Sequence, residues 1–287
     1  MTTGEPNVPE AVIHAVEPGN GRTVLVVVAH ADDPALFLGG TLALWARQGW
    51  RVVVVRATDD RRDSVGLDEA ETVRQIAAEF RSAMALLCVE VVELGWPTDR
   101  MAALPYLELR AQIVREIRRW RPHTLVSFDP CSVGHEDNRD HVVLAQAVDE
   151  AAWTAMFDKH EPDQVAAGLA PHGVFERWYF GRRVAYATHI VDIAPTLATK
   201  IAAALATPTP LRHIAHQLQM QARTGGWRAE PIDRAAAGDL PTLFADLLTR
   251  GAARVGAAHG LAAAEEFRVV RLGGLGGWLE EVGEPLA

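Results

Sequence analysis

Hydrophobic residues fall along the chain in short unbroken blocks separated by longer stretches of mixed character. Val24-Leu25-Val26-Val27-Val28-Ala29 and Val52-Val53-Val54-Val55 are aliphatic with no polar position between them. Blocks of that length, rich in β-branched residues, read as strands covered on both faces, the habit of a parallel sheet. Strands are therefore placed at 22–29, 51–57, 89–94 and 123–128. Helical spacing fills the intervals at about 36–48, 67–87 and 106–120, and again at 140–157. In the third of these, apolar positions 107, 109, 113, 114 and 117 stand against Arg110, Arg115, Glu116, Arg118 and Arg119, an amphipathic helix. Strand, helix, strand at this interval predicts βαβ units.

Beyond residue 160 the pattern thins. Trp178-Tyr179-Phe180, His189-Ile190-Val191 and Phe267 to Arg271 read as short strands. Residues 196–223 have helical spacing that Pro208 and Pro210 should divide, and 241–255 carries a further helix within an Ala- and Gly-rich region. Residues 1–20, polar and rich in Pro and Gly, read as an irregular arm. The expected whole is one α/β domain over 1–287: a Rossmann-like, mostly parallel sheet with helices on both faces. Its core spans about 20–200, and a C-terminal helical extension spans about 201–287.

The first strand ends in His30-Ala31-Asp32-Asp33. In open α/β sheets the carboxyl ends of strands are where ligands bind. His30 and Asp33, three residues apart on the turn, can reach one ion, and Asp32 between them is placed as a base beside metal-activated water. A third protein ligand is needed. The fourth strand leads into Asp129 through His141, a second polar cluster, and strands one and four are neighbours in the usual doubly wound order. Plainer roles stand beside these: Asp32 or Asp33 as a helix cap, His123 as a structural residue, His213 and His216 on a helix face, and Asp59, Asp60, Arg61, Arg62 and Asp63 as a solvated charge run, with lining of the pocket as the alternative because the run follows the second strand.

Composition narrows the partners. A formal net charge of −9 argues against nucleic acid or an anionic membrane surface. The two cysteines, Cys88 and Cys131, form no CxxC and imply no disulfide framework. No apolar run reaches membrane-spanning length, and Met1 to Pro6 lacks a basic then apolar leader, so a cytoplasmic protein is expected. The first strand-to-helix turn lacks GxGxxG, and its two aspartates would repel a pyrophosphate, which disfavours a nucleotide-binding module.

Ala29-His30-Ala31-Asp32-Asp33 resembles the AHPDD signature of the PIG-L/LmbE family of zinc-dependent N-acetylglucosamine-type deacetylases. Gly39-Gly40-Thr41, Thr58-Asp59, Glu79-Phe80-Arg81 and Leu94-Gly95-Trp96-Pro97 are similar to its GGT, TD, ExR and LGYP, and Asn138-Arg139-Asp140-His141 to its HxDH. The resemblance covers roughly residues 22–200. It implies Zn2+ held by His30, Asp33 and His141, Asp32 as general base, and Asp140 steadying a ligand histidine. Two departures stand in the first signature, Ala31 for proline and Pro34 for glutamate. A third, Asn138, replaces the histidine that protonates the leaving amine or steadies the oxyanion. Asn138 can donate a hydrogen bond but has no proton to give, so His135 is the candidate substitute, with Asp32 returning the proton as the alternative. Trp96 is the candidate for stacking on a sugar, and Asp59 for lining the pocket.

The function so implied is hydrolysis of the N-acetyl group of an N-acetylglucosaminyl small molecule. A secondary-metabolite intermediate such as a glycopeptide antibiotic pseudoaglycone of the teicoplanin type is the favoured substrate, with a mycothiol or aminoglycoside precursor as the alternative. A non-catalytic metal-binding relative is the competing reading that Asn138 keeps open.

Overall fold

The computed structural model describes residues 11–271 and 276–284. The chain runs β1 (Val12–Ile13), β2 (Thr23–Val28), α1 (Asp33–Arg47), β3 (Arg51–Thr58), α2 (Glu69–Leu86), β4 (Glu90–Trp96), α3 (Tyr106–Trp120), β5 (Thr124–Phe128) and α4 (Arg139–Thr154). There follow α5 (Pro162–Ala166), β6 (Glu176–Phe180), β7 (His189–Asp192), α6 (Leu197–Leu205), α7 (Pro208–Thr224), α8 (Glu230–Ala236), α9 (Leu240–Ala257), β8 (Ala264–Arg271) and α10 (Gly276–Val282). One eight-stranded sheet takes the order β1-β7-β8-β6-β5-β2-β3-β4. Its pairs are parallel except those made by β8, which lies antiparallel between β6 and β7. This is the expected α/β class with a mostly parallel sheet.

The apolar runs behave as their composition requires. Every residue of β2 and all of β3 after Arg51 are buried. β2 pairs with β3 on one side and β5 on the other, so the first and fourth predicted strands are neighbours. β4, with charged residues at Glu90 and Glu93, lies at the sheet's edge, where a more exposed strand is tolerated. The expected break in residues 196–223 falls at Pro208, which opens α7 in the first turn, where a missing N–H costs nothing.

Three features depart from the sequence reading. Val12 and Ile13, in the supposed irregular arm, form β1 against β7, while residues 1–10 lie outside the described ones. α5 and α8 are short helices that the pattern did not signal. The C-terminal extension is not solely helical, because β8 enters the middle of the sheet. The extension's helices keep a small core of their own, built on Leu211, Ala215, Ala235, Leu240, Leu243 and Phe244. Both cysteines are free and exposed, and no helix among the described residues is long and apolar enough to cross a membrane.

Gly39-Gly40 marks the crossing of α1 with the segment that leads into α6. A Cβ on Gly40 would stand 2.6 Å from Cβ of Ile193, and one on Gly39 would stand 3.1 Å from Cγ of Lys200. α1 also breaks its helical geometry at Leu38 (φ −134°, ψ 17°). The second half of α1 therefore starts afresh, and Glu265 of β8 serves as its cap. That carboxylate accepts from Gly40 N at 3.0 Å, Thr41 N at 2.8 Å and Thr41 Oγ1 at 2.6 Å. Lys200 Nζ neutralises it at 2.5 Å and donates to the Phe37 carbonyl at 3.2 Å.

Candidate metal centre

The carboxyl ends of β2, β3 and β5 form one site. β2 stops at Val28, and the chain turns through His30 to open α1 at Asp33, with Pro34 in the first turn. Asp33 Oδ2 accepts from the His30 backbone N at 2.7 Å, which locks the turn. Asp32 occupies the cap position of α1, yet its side chain makes no capping bond. Its carboxylate is thus free for chemistry. On the β5 side, Asn138 caps α4: its Oδ1 accepts from Asp140 N at 2.9 Å. This sets His141 in the first turn, where its ring stacks on Phe128 with centroids 3.9 Å apart and planes 17° from parallel.

His30 Nδ1 lies 3.0 Å from His141 Nε2, His141 Nε2 lies 3.3 Å from Asp33 Oδ1, and His30 Nδ1 lies 3.6 Å from Asp33 Oδ2. A tetrahedral ion with Zn–N and Zn–O bonds of about 2.0–2.2 Å needs donors roughly 3.3 Å apart. Two imidazole nitrogens and a carboxylate, all buried, match that spacing and the preference of zinc for mixed N,O sets. These residues fit a divalent ion as they stand.

Both histidines are held from behind. Asp140 Oδ2 stands 3.8 Å from His30 Nε2 and also accepts from Asp99 N at 2.7 Å, so one carboxylate faces the histidine and ties down the β4–α3 loop. Glu136 Oε2 stands 3.0 Å from His141 Nδ1, a contact nearer to an ion pair than to a directed hydrogen bond, since that nitrogen lacks a well-aligned acceptor. Burial opposes charge on both histidines, but Asp140 and Asp33 raise His30 well above its ordinary pKa, and Asp33 and Glu136 raise His141. Burial likewise opposes ionisation of Asp33, yet His141 and His30 hold its carboxyl well below the usual range. Asp32 differs: burial, then the charge of Asp33, pushes it up to about 7.

These groups line a cavity of about 510 Å³, the size of a small-molecule site. It contains His30, Asp32, Asp33, Asn138 and His141. His135 is not among its lining residues; it is exposed and borders a separate crevice on the far side of His141 with Glu136 and Phe128. Trp96 is the last residue of β4. It is 8% exposed, donates from Nε1 to Gln112 at 2.9 Å, and does not border the cavity. Asp59 is held by Arg61 and is likewise absent from the lining. The residue after it does reach the site. Asp60, in left-handed conformation (φ 56°), accepts from Ala31 N at 3.1 Å and from Arg56 at 2.9 Å.

The charge run after β3 thus lines the cavity through Asp60, Arg62 and Asp63, the alternative the sequence offered for it, whereas Glu136 was given no role. A further signal was present: Arg56 is a charge inside an apolar strand, and a buried guanidinium requires a nearby carboxylate. Asp63 has an unpartnered Oδ2, and burial pushes its carboxyl up to about 8.

Residues 25–152 match the PIG-L family, described as GlcNAc-PI de-N-acetylase. The diacetylchitobiose deacetylase of Thermococcus kodakarensis is 30% identical over 198 residues, 65% of this chain and 70% of that protein. The chain belongs to the PIG-L family. As a member it is a hydrolase of the N-deacetylase class. The 1D-myo-inositol 2-acetamido-2-deoxy-alpha-D-glucopyranoside deacetylase of Rhodococcus jostii is 31% identical over 174 residues, covering 50% of this chain and 59% of that protein. Among solved structures, the N,N'-diacetylchitobiose deacetylase of Pyrococcus horikoshii with its inhibitor MPG shares the fold at a TM-score of 0.71 and 20% identity, covering 92% of this chain and 87% of that one. The zinc-inhibited form of a teicoplanin deacetylase shares it at 0.56 and 16%, covering 88% and 99%. At these identities the structural likeness speaks to fold alone.

Proposed function

We propose that this chain removes the N-acetyl group of an N-acetylglucosamine-type sugar, with zinc held by His30, Asp33 and His141. The observation that carries the reading is the triangle of three buried donors, beside the uncapped carboxylate of Asp32, in a cavity of substrate size. Bound there, zinc supplies Lewis acidity toward a carbonyl oxygen and acidifies water. Asp32 takes the proton of the attacking water. Its carboxyl, poised near neutrality by burial, is drawn toward its ionised form by a cation alongside. Asn138 Oδ1 is engaged in capping α4, so its amide N–H groups are the ones left to donate to the developing oxyanion. With His135 outside the cavity, Asp32 is the group that returns the proton to the departing amine.

The relatives act, by name, on diacetylchitobiose and on an N-acetylglucosaminyl inositol, which supports a small N-acetylated amino-sugar conjugate. A glycopeptide pseudoaglycone has support only from a neighbour of like fold. The test is acetate release from N,N'-diacetylchitobiose, N-acetylglucosaminyl inositol and an N-acetylglucosaminyl glycopeptide, by zinc-loaded and chelator-stripped protein and by His30→Ala. The expected outcome is zinc-dependent release from at least one, lost in the variant. No release from any of them, or equal release without metal, overturns the reading.

A further inference from the structure

A second cavity, of about 570 Å³, opens beside the metal cavity and shares Leu36, Phe37 and Arg182 with it. The two differ in charge. Six aspartates and three arginines line the metal cavity. The second is lined by three arginines and a lysine against two glutamates. Lys200 and Glu265 neutralise each other at 2.5 Å, and Arg182 pairs with Glu136 at 3.0 Å. Burial raises the carboxyl of Glu266, although Arg183 stands near enough to favour its ionised form. Arg183 and Arg254 are exposed, and among the described residues neither side chain makes a hydrogen bond or an ion pair. Leu247, Leu248 and Val255 of α9 give the same cavity an apolar wall, with Leu247 44% exposed.

Two arginine side chains free of hydrogen bonds, lining the same cavity as the apolar face of α9 on a chain of net charge −9, are a local reversal of the molecule's field. We propose that this second cavity is a substrate subsite for the group attached to the amino sugar, and that it takes an apolar aglycone bearing an anionic group such as a carboxylate. The inference rests on the deacetylase reading, which places the acetylated sugar in the metal cavity. Arg183 and Arg254 attract the anion, which orients the conjugate with its charged end in the second cavity. The apolar body lies along α9, and the shared wall of Leu36 and Phe37 sits at the junction.

The probes are phenyl 2-acetamido-2-deoxyglucopyranoside and its 4-carboxyphenyl analogue, in both anomers. They match in size and differ in one charge. Wild type is expected to favour the carboxylate by about three- to tenfold in kcat/KM, the scale of two solvent-accessible charge contacts. In Arg183→Ala/Arg254→Ala that ratio should collapse to about one while kcat/KM for the neutral glycoside holds within about twofold. Equilibrium binding of the two glycosides to both proteins gives the same comparison without turnover. Deacetylation of both probes with no preference in wild type, or a preference that survives the double variant, overturns the subsite and leaves the deacetylase reading intact. Absence of turnover with preferential, arginine-dependent binding of the carboxylate supports the subsite and counts against the deacetylase reading. Equal binding without turnover overturns both.

Discussion

At the scale of single residues, adjacent positions on a turn do different work. Asp33 is drawn toward His30 and His141 by its bond to His30 N, whereas Asp32, at a cap position it does not use, is left facing the cavity. Asp32→Asn is therefore expected to retain stoichiometric metal by elemental analysis and lose about 10²–10⁴-fold in turnover, the range for general acid–base groups. His135→Ala, altering an exposed residue of a different crevice, should keep turnover within about twofold. A large loss in His135→Ala, or a near-normal rate in Asp32→Asn, would contradict this division of labour. Much of the site's residue content was visible because histidine and carboxylates at the end of an apolar strand are conspicuous. Choosing between Asp59 and Asp60 was not possible from pattern. The left-handed backbone at Asp60 decides which carboxylate turns toward Ala31, and no hydrophobic periodicity reports a φ angle.

At the scale of elements, the kink in α1 matters most. Its first turn carries Asp33, and its second segment starts at Gly39-Gly40, pinned by Glu265 from the far end of the chain. The Lys200–Glu265 pair is only 4–5% exposed. Removing one partner of such a pair strands the other charge, which costs about 3–5 kcal/mol. Glu265→Gln should lower the urea midpoint accordingly, and Lys200→Met/Glu265→Leu should recover part of the loss. A midpoint unchanged in Glu265→Gln would show that the pair does not secure the kink. The Gly39-Gly40-Thr41 signature was legible, but its physical reason was not. It lies in the approach of Ile193 and Lys200, more than 150 residues away in sequence.

At the scale of the whole molecule, β1 and β7 close one edge of the sheet over a group of rings. His14 lies 5.0 Å from Trp178 and 5.2 Å from His189. Burial, then the proximity of His14 and Arg271, pushes His189 down to about 4, and burial also lowers His14. An unfolded histidine titrates near 6.5. Below that pH the unfolded chain binds protons that the folded chain refuses, so stability falls as pH drops from about 6.5 toward 4 and is insensitive to these groups above it. Relative to wild type, His189→Asn should therefore gain denaturation midpoint as the pH is lowered from 7.5 to 5. An equal change with pH in wild type and variant would assign the acid sensitivity elsewhere.

The order of strands and helices, the parallel character of the sheet and the chemistry at two strand ends follow from the sequence itself, because burial on both faces demands unbroken aliphatic runs and helices demand their own spacing. Tertiary structure alone decided three things. It put β8 antiparallel inside the sheet, since an edge's N–H and C=O groups accept a strand in either direction and the path of the chain out of α9 decides between them. It kept Trp96 in the core and His135 on the surface, since a residue's environment depends on what packs over it. And it brought His30, Asp33 and His141 within bonding distance of one point, because 111 residues of chain separate the two histidines and only the pairing of β2 with β5 closes that gap.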